Sequence, residues 1–220
     1  MCISMSTESS FICTPLADDI KHKEQILEFT IDREAGYAQS KNLIIGLEAY
    51  LKRRAWDEDS NHEVKIYLIK DINNGSIAAY FGLKAGMVAS SGSESLSPEQ
   101  KAIILKAFKK EHLFPEVLPG IEISHFAVND DYRRRVSKDS SKLIKGLAAY
   151  FYPAFIYPII EDVASKIGVT LIYLYAAGDH KLVSYYKKVF KFEALQEKDF
   201  YIPLEPRYDD GCTFMYKLLP

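Results

Sequence analysis

The sequence predicts a mixed α/β (α+β) fold, in which helices cover both faces of one central sheet. Short segments of alternating or continuous apolar residues, typical of strands, are interleaved with segments of helical periodicity. Residues 73–76 read Asn-Asn-Gly-Ser between two strand segments, which predicts a tight antiparallel hairpin. The most apolar strand segment, residues 169–176, follows another strand and a long helical segment, which predicts a parallel crossover in the middle of the sheet.

The predicted elements follow one another in a simple order. Strands are predicted at residues 24–32, 62–71, 77–88, 121–128, 169–176, 192–195 and 213–218. Helices are predicted at residues 34–55, 97–110, 140–166 and 180–190. The third helix is expected to begin at Ser140 or Ser141, to break or kink near Pro153 and Pro158, and to end at Gly168.

Length and composition predict one domain over residues 1–220, with a leader at 1–20 and a helical insertion at 90–120. The 220 residues suffice for a sizeable core, and 48% of them are hydrophobic. A net charge of −2 indicates no broad basic face, so we expect no nucleic acid as a partner. The three cysteines form no Cys-x-x-Cys motif, which indicates reduced thiols, a cytoplasmic protein and no metal site. A secretory signal and an apolar run of membrane-spanning length are missing, so we expect no membrane contact.

Residues 121–151 carry the most informative pattern, which is a strand, a basic turn and an amphipathic helix. The first N–H groups of a helix have no partner within the helix, and the helix dipole adds positive potential there. The turn contributes three consecutive arginines, Arg133, Arg134 and Arg135. This arrangement predicts a site for a phosphate or pyrophosphate group.

Three local patterns point to a family. They are Ala127-Val128 followed by Tyr132-Arg133, then Leu143-Ile144 in the next helix, and Tyr185-Tyr186-Lys187-Lys188-Val189 followed by Phe190-Lys191-Phe192 in the last helix. With these patterns the chain resembles the GNAT superfamily of acyl-CoA-dependent N-acyltransferases, over roughly 24–219 and most strongly over 121–192. The resemblance implies a mixed, mostly antiparallel central sheet of six to seven strands with helices on both faces. It also implies acetyl-CoA as co-substrate and no metal.

The resemblance further implies which residues form the site. Glu122 matches the family's general base, and Tyr186 matches the tyrosine that protonates the departing thiolate, with Tyr185 as the alternative. Coenzyme A would be bound by the end of the strand, the turn and the helix start, at Phe126, Ala127, Val128, Arg133, Arg134, Arg135, Ser137, Lys138, Ser140 and Ser141.

Strand periodicity predicts how the residues around Glu122 are oriented. A period of two places Phe126 on the same face as Glu122, and His125 on the opposite face unless a bulge intervenes. Gly82 and Gly86 of the preceding strand are candidate bulge points. We interpret His125 as a packed histidine rather than a catalytic one.

The turn departs from the family pattern, because residues 133–141 contain no glycine where the family has Gly-x-Gly or Gly-x-Ala. Glycine lets the backbone approach phosphates closely. Its absence keeps open a non-catalytic protein of the same fold that binds a CoA-like ligand or a protein partner. A third alternative is an acyl-homoserine-lactone-type synthase, which shares the fold but takes its acyl group from a carrier protein.

Together these patterns predict an N-acetyltransferase that moves an acetyl group from acetyl-CoA to a primary amine by direct attack in a ternary complex. No cysteine lies near the site motifs, which disfavours a thiol-linked intermediate. The expected partners are acetyl-CoA and an amine substrate. The insertion at 90–120 is a candidate substrate lid or dimer contact, so a homodimer is a further expectation.

Overall fold

The computed structural model describes residues 10–31, 46–89, 98, 117–136, 145–169, 171–177, 180–194 and 212–219. Within these ranges a seven-stranded sheet has the order β1-β2-β3-β4-β5-β7-β6. The strands are β1 Phe11–Pro15, β2 Lys65–Asp71, β3 Ile77–Ala89, β4 Val117–Val128, β5 Leu171–Ala177, β6 Glu193–Ala194 and β7 Cys212–Leu218. All neighbouring strands are antiparallel except β4 and β5, which are parallel. This confirms the predicted mixed, mostly antiparallel sheet.

Helices pack on both faces of this sheet. They are α1 His22–Gln25, α2 Leu47–Arg53, α3 Ala55–Ser60, α4 Asp130–Arg135, α5 Leu147–Phe151, α6 Tyr157–Ile167 and α7 His180–Tyr185. Wide π turns at Tyr152–Ile156 and Tyr186–Phe190 join α5 to α6 and extend α7, and 3-10 turns span Leu16–Asp18 and Ile26–Glu28. No helix in the described ranges is long and apolar enough to cross a membrane.

The two faces of the sheet carry separate apolar cores. On one face, Phe151, Ile156 and Ile160 of the α5–α6 helix pack against strand residues such as Ile121 and Ile172. We call this side the α5–α6 face. On the other face, helices α2 and α3 pack against strands β2 and β3, through Leu51, Ala55, Ile66 and Tyr80. This side is called the α2–α3 face. The candidate site lies at the parallel strands β4 and β5.

The α5–α6 helix is described from Leu147, which follows Gly146 with a φ of 88°. Its predicted start at Ser140 or Ser141 lies outside the described residues, and near the prolines the helix differs from the predicted break. The chain stays helical through Pro153 and Pro158 by widening into the π turn, where a longer hydrogen-bonded ring accommodates the missing proline donors. The helix ends at Gly168, as predicted, with a φ of 72°.

Other boundaries differ from the predictions as well. Residues 24–31 form the end of α1, a 3-10 turn and an extended segment, not the predicted strand, whose last residue, 32, lies outside the described residues. Strand β4 begins at Val117, so residues 117–120 belong to the sheet rather than to the insertion, of which Pro98 is described and is helical. Pro119 is tolerated in β4 because β5 pairs with that strand only from Gly120 onward. The predicted hairpin is present, with Gly75 at a φ of 71°.

Candidate functional site

The parallel strands β4 and β5 diverge soon after they meet. Their pairing covers three positions, which are Gly120 with Leu171, Ile121 with Ile172 and Glu122 with Tyr173. Beyond these positions β4 continues to Val128 and β5 to Ala177 without pairing to each other. Among the described residues no strand pairs with β4 on this side beyond Glu122, and an extended ligand could add to the sheet there as a strand does. We call this gap the strand opening, and Glu122 lies at its closed end.

A bulge in β4 resets the orientation of side chains next to the opening. Gly82 of β3 pairs with His125 and Leu83 pairs with Ile123, so Ser124 is the extra residue. A Cβ atom on Gly82 would lie 2.8 Å from Ser124 Oγ, which indicates why glycine occupies this position. Of the two candidate bulge points, Gly82 is confirmed, and Gly86 pairs with Gly120 without a shift in register.

Because of the bulge, the predicted distribution of side chains over the two faces is wrong. Phe126 packs on the α5–α6 face together with Ile123, whereas Glu122 points to the opposite side. His125 lies on the α2–α3 face, where its ring stacks on Tyr50 with centroids 3.6 Å apart and planes 10° apart. Glu122 and His125 therefore share a face.

His125 is a packed and neutral side chain. Its Nδ1 lies 3.0 Å from Ser124 Oγ. Burial, followed by the positive charges of Arg54 and Lys84, lowers the pKa of His125 from 6.5 to about 3. At physiological pH this imidazole is uncharged. The geometry thus agrees with the interpretation of His125 as a packing residue, and it also places two cations near this face.

Glu122 is a buried carboxylate with a tyrosine partner that the sequence reasoning missed. Its side chain is 5% exposed, and that of Tyr173 is 4% exposed. The Tyr173 hydroxyl donates to Glu122 Oε2 over 3.3 Å. The ring of Tyr173 lies over Gly120 and reaches Gly86, where an added Cβ would lie 1.9 Å from the hydroxyl oxygen. The facing glycines of β3 and β4 were the available signal for this close approach.

Glu122 and Tyr173 belong to one row of cross-strand neighbours that spans five strands. We call it the cross-strand row, and its members are Lys84 of β3, Glu122 of β4, Tyr173 of β5, Tyr216 of β7 and Glu193 of β6. At its outer end the Tyr216 hydroxyl donates to Glu193 Oε2 over 3.0 Å at an exposed position. Burial, the bond to Glu193 and the charge of Glu193 raise the pKa of Tyr216.

The two candidate tyrosines pack on the α5–α6 face, opposite the face toward which Glu122 points. Tyr185 ends α7 and Tyr186 begins the following π turn, so the turn absorbs the extra residue that left the choice between them open. Both rings pack on Phe190, with centroids 5.2 and 5.4 Å away. Phe190 in turn lies 6.3 Å from Phe126 of β4. Burial raises the pKa of Tyr185. The fold therefore gathers three predicted site residues around Phe190, which the sequence reasoning did not select.

The three arginines lie on α4, directly after β4. The helix begins with Asn129, whose side chain accepts from the N–H groups of Asp131 and Tyr132 and donates to Ile77 O over 2.8 Å. The arginines form ion pairs within the helix, Arg133 with Asp130 at 2.7 Å, Arg134 with Asp131 at 3.9 Å and Arg135 with Asp131 at 2.5 Å. Their charge is thus partly neutralised. Ser137, Lys138, Ser140 and Ser141 lie outside the described residues.

Helix α4 is fixed to the β2–β3 hairpin through a buried side chain. The Tyr132 hydroxyl donates to Asp71 Oδ2 over 2.9 Å, and Asp71 also accepts from the Asn73 N–H within the hairpin turn. Burial and the bond to Asp71 raise the pKa of Tyr132. This contact holds the start of the basic turn at the end of β4. In the described part of the chain, no group of three or more His, Cys, Asp or Glu side chains is arranged to bind a metal ion.

Comparisons with known proteins define the class of the fold. No family model and no curated protein matches the chain. Among solved structures, a tyrosine-to-phenylalanine mutant of the AtaT toxin bound to the C-terminus of the antitoxin AtaR and acetyl-CoA matches with a TM-score of 0.60, 11% identity and coverage of 95% of this chain and 93% of that chain. A mutant of KacT matches with a TM-score of 0.59, 12% identity and 95% coverage of both chains. At these identities the likeness shows the fold, and the chain has the GNAT-like fold that the sequence predicted.

A further solved structure corrects one expectation. AtaT complexed with acetyl-methionyl-tRNAfMet matches with a TM-score of 0.59, 13% identity and coverage of 93% of both chains. The AtaT-AtaR complex bound to DNA matches as well, with a TM-score of 0.54 and 13% identity. The expectation of no nucleic acid partner is therefore wrong as an exclusion, because proteins of this fold bind nucleic acids. A net charge of −2 describes the whole chain and does not report on one local surface.

Proposed function

We propose that this chain transfers an acetyl group from acetyl-CoA to an amino group. The observation that carries the proposal is the strand opening, with the buried carboxylate of Glu122 at its closed end and two tyrosines packed on Phe190, next to Phe126 of β4. In acyl transfer from a thioester a carboxylate can act as the base and a phenolic hydroxyl as the acid, and a strand edge can hold the pantetheine arm. Acetyl-CoA is also bound in the AtaT structure of the same fold.

In the proposed complex the pantetheine arm lies along the backbone of Phe126, Ala127 and Val128, as an added strand would. The pyrophosphate lies at the basic turn, which brings it to α4 and to the segment that follows. The phosphate-binding residues are then Arg133, Arg134, Arg135, Ser137, Lys138, Ser140 and Ser141. Binding would draw the arginines partly away from their aspartates. Arginine side chains would then hold the phosphates, where the family uses the backbone of a glycine-containing turn.

In the proposed reaction Glu122 acts as the base and one of the two tyrosines acts as the acid. Glu122 takes a proton from the acceptor ammonium, and the neutral amine nitrogen attacks the thioester carbonyl carbon. The C–S bond breaks as the tetrahedral intermediate collapses, and Tyr186, or Tyr185 in its place, donates a proton to the departing thiolate. The phenolate regains a proton from the attacking nitrogen, which becomes the amide N–H, and Glu122 later releases its proton to water. Burial, which raises the pKa of Tyr185, keeps such a phenol protonated as an acid must be.

A direct attack in the ternary complex accounts for the reaction without a covalent enzyme intermediate. A ping-pong route needs a reactive thiolate close to the opening. Cys13 lies on β1, away from β4 and β5, and burial raises the pKa of its thiol to about 12, so it is a poor nucleophile at neutral pH. Cys212 of β7 is half-buried opposite Ala177 at the end of β5. The proposed route uses neither thiol.

We further propose that the acceptor amine is carried by a nucleic acid, in the manner of an aminoacyl-tRNA. AtaT, which has the same fold, is complexed with acetyl-methionyl-tRNAfMet. On this chain, the charges of Arg54 and Lys84 both act on His125, so two cations border the face toward which Glu122 points. Cations at this place would attract the phosphates of a tRNA acceptor end and leave the amine to Glu122.

The test has two stages. Calorimetric titration with acetyl-CoA, with acetate and adenosine 3′,5′-bisphosphate as separate controls, measures binding, and the absence of binding at millimolar acetyl-CoA would contradict the proposal. Transfer of a radiolabelled acetyl group is then measured with aminoacyl-tRNA, the same tRNA without its amino acid, and free amino acids. Labelling of the aminoacyl-tRNA alone supports the full proposal, whereas labelling of free amines alone contradicts the nucleic acid acceptor.

A second candidate is a non-catalytic protein of this fold that binds a CoA-like ligand or a protein partner. It is favoured by the glycine-free turn and by the pairing of each arginine with an aspartate of its own helix. Binding of acetyl-CoA without transfer to any of the three acceptors would favour this candidate over the enzyme.

A further inference from the structure

We propose that Tyr173 is a positioning residue for Glu122, whose hydroxyl fixes the orientation of the carboxylate that takes the proton of the acceptor amine. The inference rests on the proposed function, and within it on Glu122 as the base. It concerns a contact between the two strands that border the opening, at the last position where they pair.

The path of the Tyr173 side chain depends on two glycines. Gly120 of β4 pairs with Gly86 of β3, and the tyrosine lies over both. A Cβ atom at Gly120 would lie 3.0 Å from Tyr173 Cε1, and one at Gly86 would lie 1.9 Å from the hydroxyl oxygen. Any side chain at Gly86 would therefore displace the hydroxyl. The glycines keep clear the path by which Tyr173 reaches the carboxylate.

The ring is also held from the other side. Phe214 of β7 stacks against it with centroids 5.6 Å apart and planes 29° apart, and Tyr175 meets it edge-on at 6.1 Å. A ring clamped between glycine backbone and an aromatic neighbour has little rotational freedom. Its hydroxyl is thus a fixed donor, and a fixed donor restricts the rotamers of the acceptor side chain.

The length and burial of the contact suit a general base. The distance of 3.3 Å is longer than the 2.7–2.8 Å usual for O–H···O bonds, so the bond orients the carboxylate without holding it strongly. A hydroxyl that donates to a carboxylate favours the ionised form, which is the form that accepts a proton. At a site that is 5% exposed, this contact opposes the tendency of burial to neutralise the carboxylate.

The chain contains a matched control for this contact. Tyr216, the cross-strand neighbour of Tyr173, donates to Glu193 at an exposed position on the outer strands. Substituting phenylalanine removes one tyrosine–glutamate bond in either case. Of these two bonds, that of Tyr173 involves the proposed base. If Tyr173 had a purely structural role, replacing it would not change the pH dependence of the reaction.

The experiment compares Tyr173→Phe, Tyr216→Phe and Glu122→Gln with the wild-type chain, in transfer from acetyl-CoA to aminoacyl-tRNA and to free amines. For Tyr173→Phe we expect kcat to fall about tenfold, in line with one bond to a charged group, while KM for acetyl-CoA stays the same. Loss of the donor favours the protonated carboxyl, so the acid limb of the pH profile moves to higher pH. Tyr216→Phe should match the wild type.

The outcomes separate the inference from the function on which it rests. If Glu122→Gln abolishes transfer while Tyr173→Phe keeps the kcat and the acid limb of the wild type, the inference is overturned and the function stands. If the wild type itself transfers no acetyl group, both are overturned. Should Tyr173→Phe not fold, Gly86→Ala displaces the hydroxyl with the tyrosine retained, and an unchanged acid limb in that variant overturns the inference.

Discussion

The cross-strand row contains two tyrosine–glutamate pairs in opposite surroundings. Tyr173 and Glu122 are buried at the closed end of the strand opening, and their bond spans 3.3 Å. Tyr216, which is half-buried, and Glu193, which is exposed, are bonded over 3.0 Å at the outer edge of the same sheet, where water reaches the bond. The shorter bond belongs to the more exposed pair, so bond length alone does not indicate which pair contributes more to catalysis or stability. What distinguishes the pairs is the removal of water, which makes each buried polar contact consequential.

The largest expected difference between the two pairs is catalytic. Glu122→Gln should lower kcat by about 10²-fold or more, because the amide cannot accept the amine proton, while affinity for acetyl-CoA is unchanged. Glu193→Gln should leave both quantities at wild-type values. Steady-state kinetics and calorimetry measure the two effects. Equal losses of kcat in both variants would contradict the proposed difference between the two pairs. Wild-type activity in Glu122→Gln would show that another group is the base.

The next difference is in stability. Tyr173→Phe should lower the free energy of unfolding by about 1–3 kcal/mol, because it takes a partner from a buried carboxylate. Tyr216→Phe should change it by less than about 0.5 kcal/mol, as exposed pairs do. Urea unfolding followed by circular dichroism compares the two variants with the wild type. A larger loss in Tyr216→Phe would contradict the role given to burial.

A third prediction extends the comparison to pH. The pKa of His125 is lowered from 6.5 to about 3 in the folded chain, so the unfolded chain binds more protons between these values. The contribution of His125 to stability is therefore complete above pH 6.5 and is lost as the pH falls toward 3. Thermal unfolding at several pH values measures this dependence. His125→Phe, which keeps an aromatic ring against Tyr50, should show a weaker dependence, and an unchanged dependence would exclude His125 as its source.

The smallest effect concerns ion pairs. Arg133 and Asp130 form a pair with side chains 25% and 10% exposed, and Lys166 and Asp162 form one with side chains 67% and 61% exposed. Arg133→Ala should raise KM for acetyl-CoA about threefold to tenfold, less so at high salt, because it removes a charge near the proposed pyrophosphate site. Lys166→Ala should have no effect on KM. A loss without salt dependence would indicate a packing role for Arg133.

The sequence predicted strands β2 to β7, the mixed sheet and the interior position of β5, because these follow from local apolar patterns. It placed the first strand at residues 24–32 instead of Phe11–Pro15. It could not predict the partner of Glu122, since the path of Tyr173 depends on glycines of two other strands coming face to face. The sequence offered Gly82 and Gly86 as bulge points but could not choose between them, because the bulge opposite Gly82 is decided by contacts between β3 and β4. The predicted start of the long helix at Ser140 or Ser141 lies outside the described residues.

The local signals at the two tyrosines were informative but incomplete. A family pattern placed a tyrosine near the opening, and an extra residue left Tyr185 and Tyr186 as alternatives. The structure accommodates that residue in a π turn and packs both rings on Phe190. The choice between them depends on the position of the thiol of a bound ligand. The roles proposed for Glu122, the two tyrosines and the basic turn therefore stay predictions.

The short pairing between β4 and β5 has a mechanical consequence. The sheet consists of two antiparallel leaves, one of strands β1 to β4 and the other of β5, β7 and β6, and three residue pairs form the seam between them. A ligand strand laid against β4 would lengthen that seam with its own hydrogen bonds. Under the proposed function, the co-substrate would then be a part of the scaffold while it is bound, and its release would return the two leaves to the three residue pairs described between them.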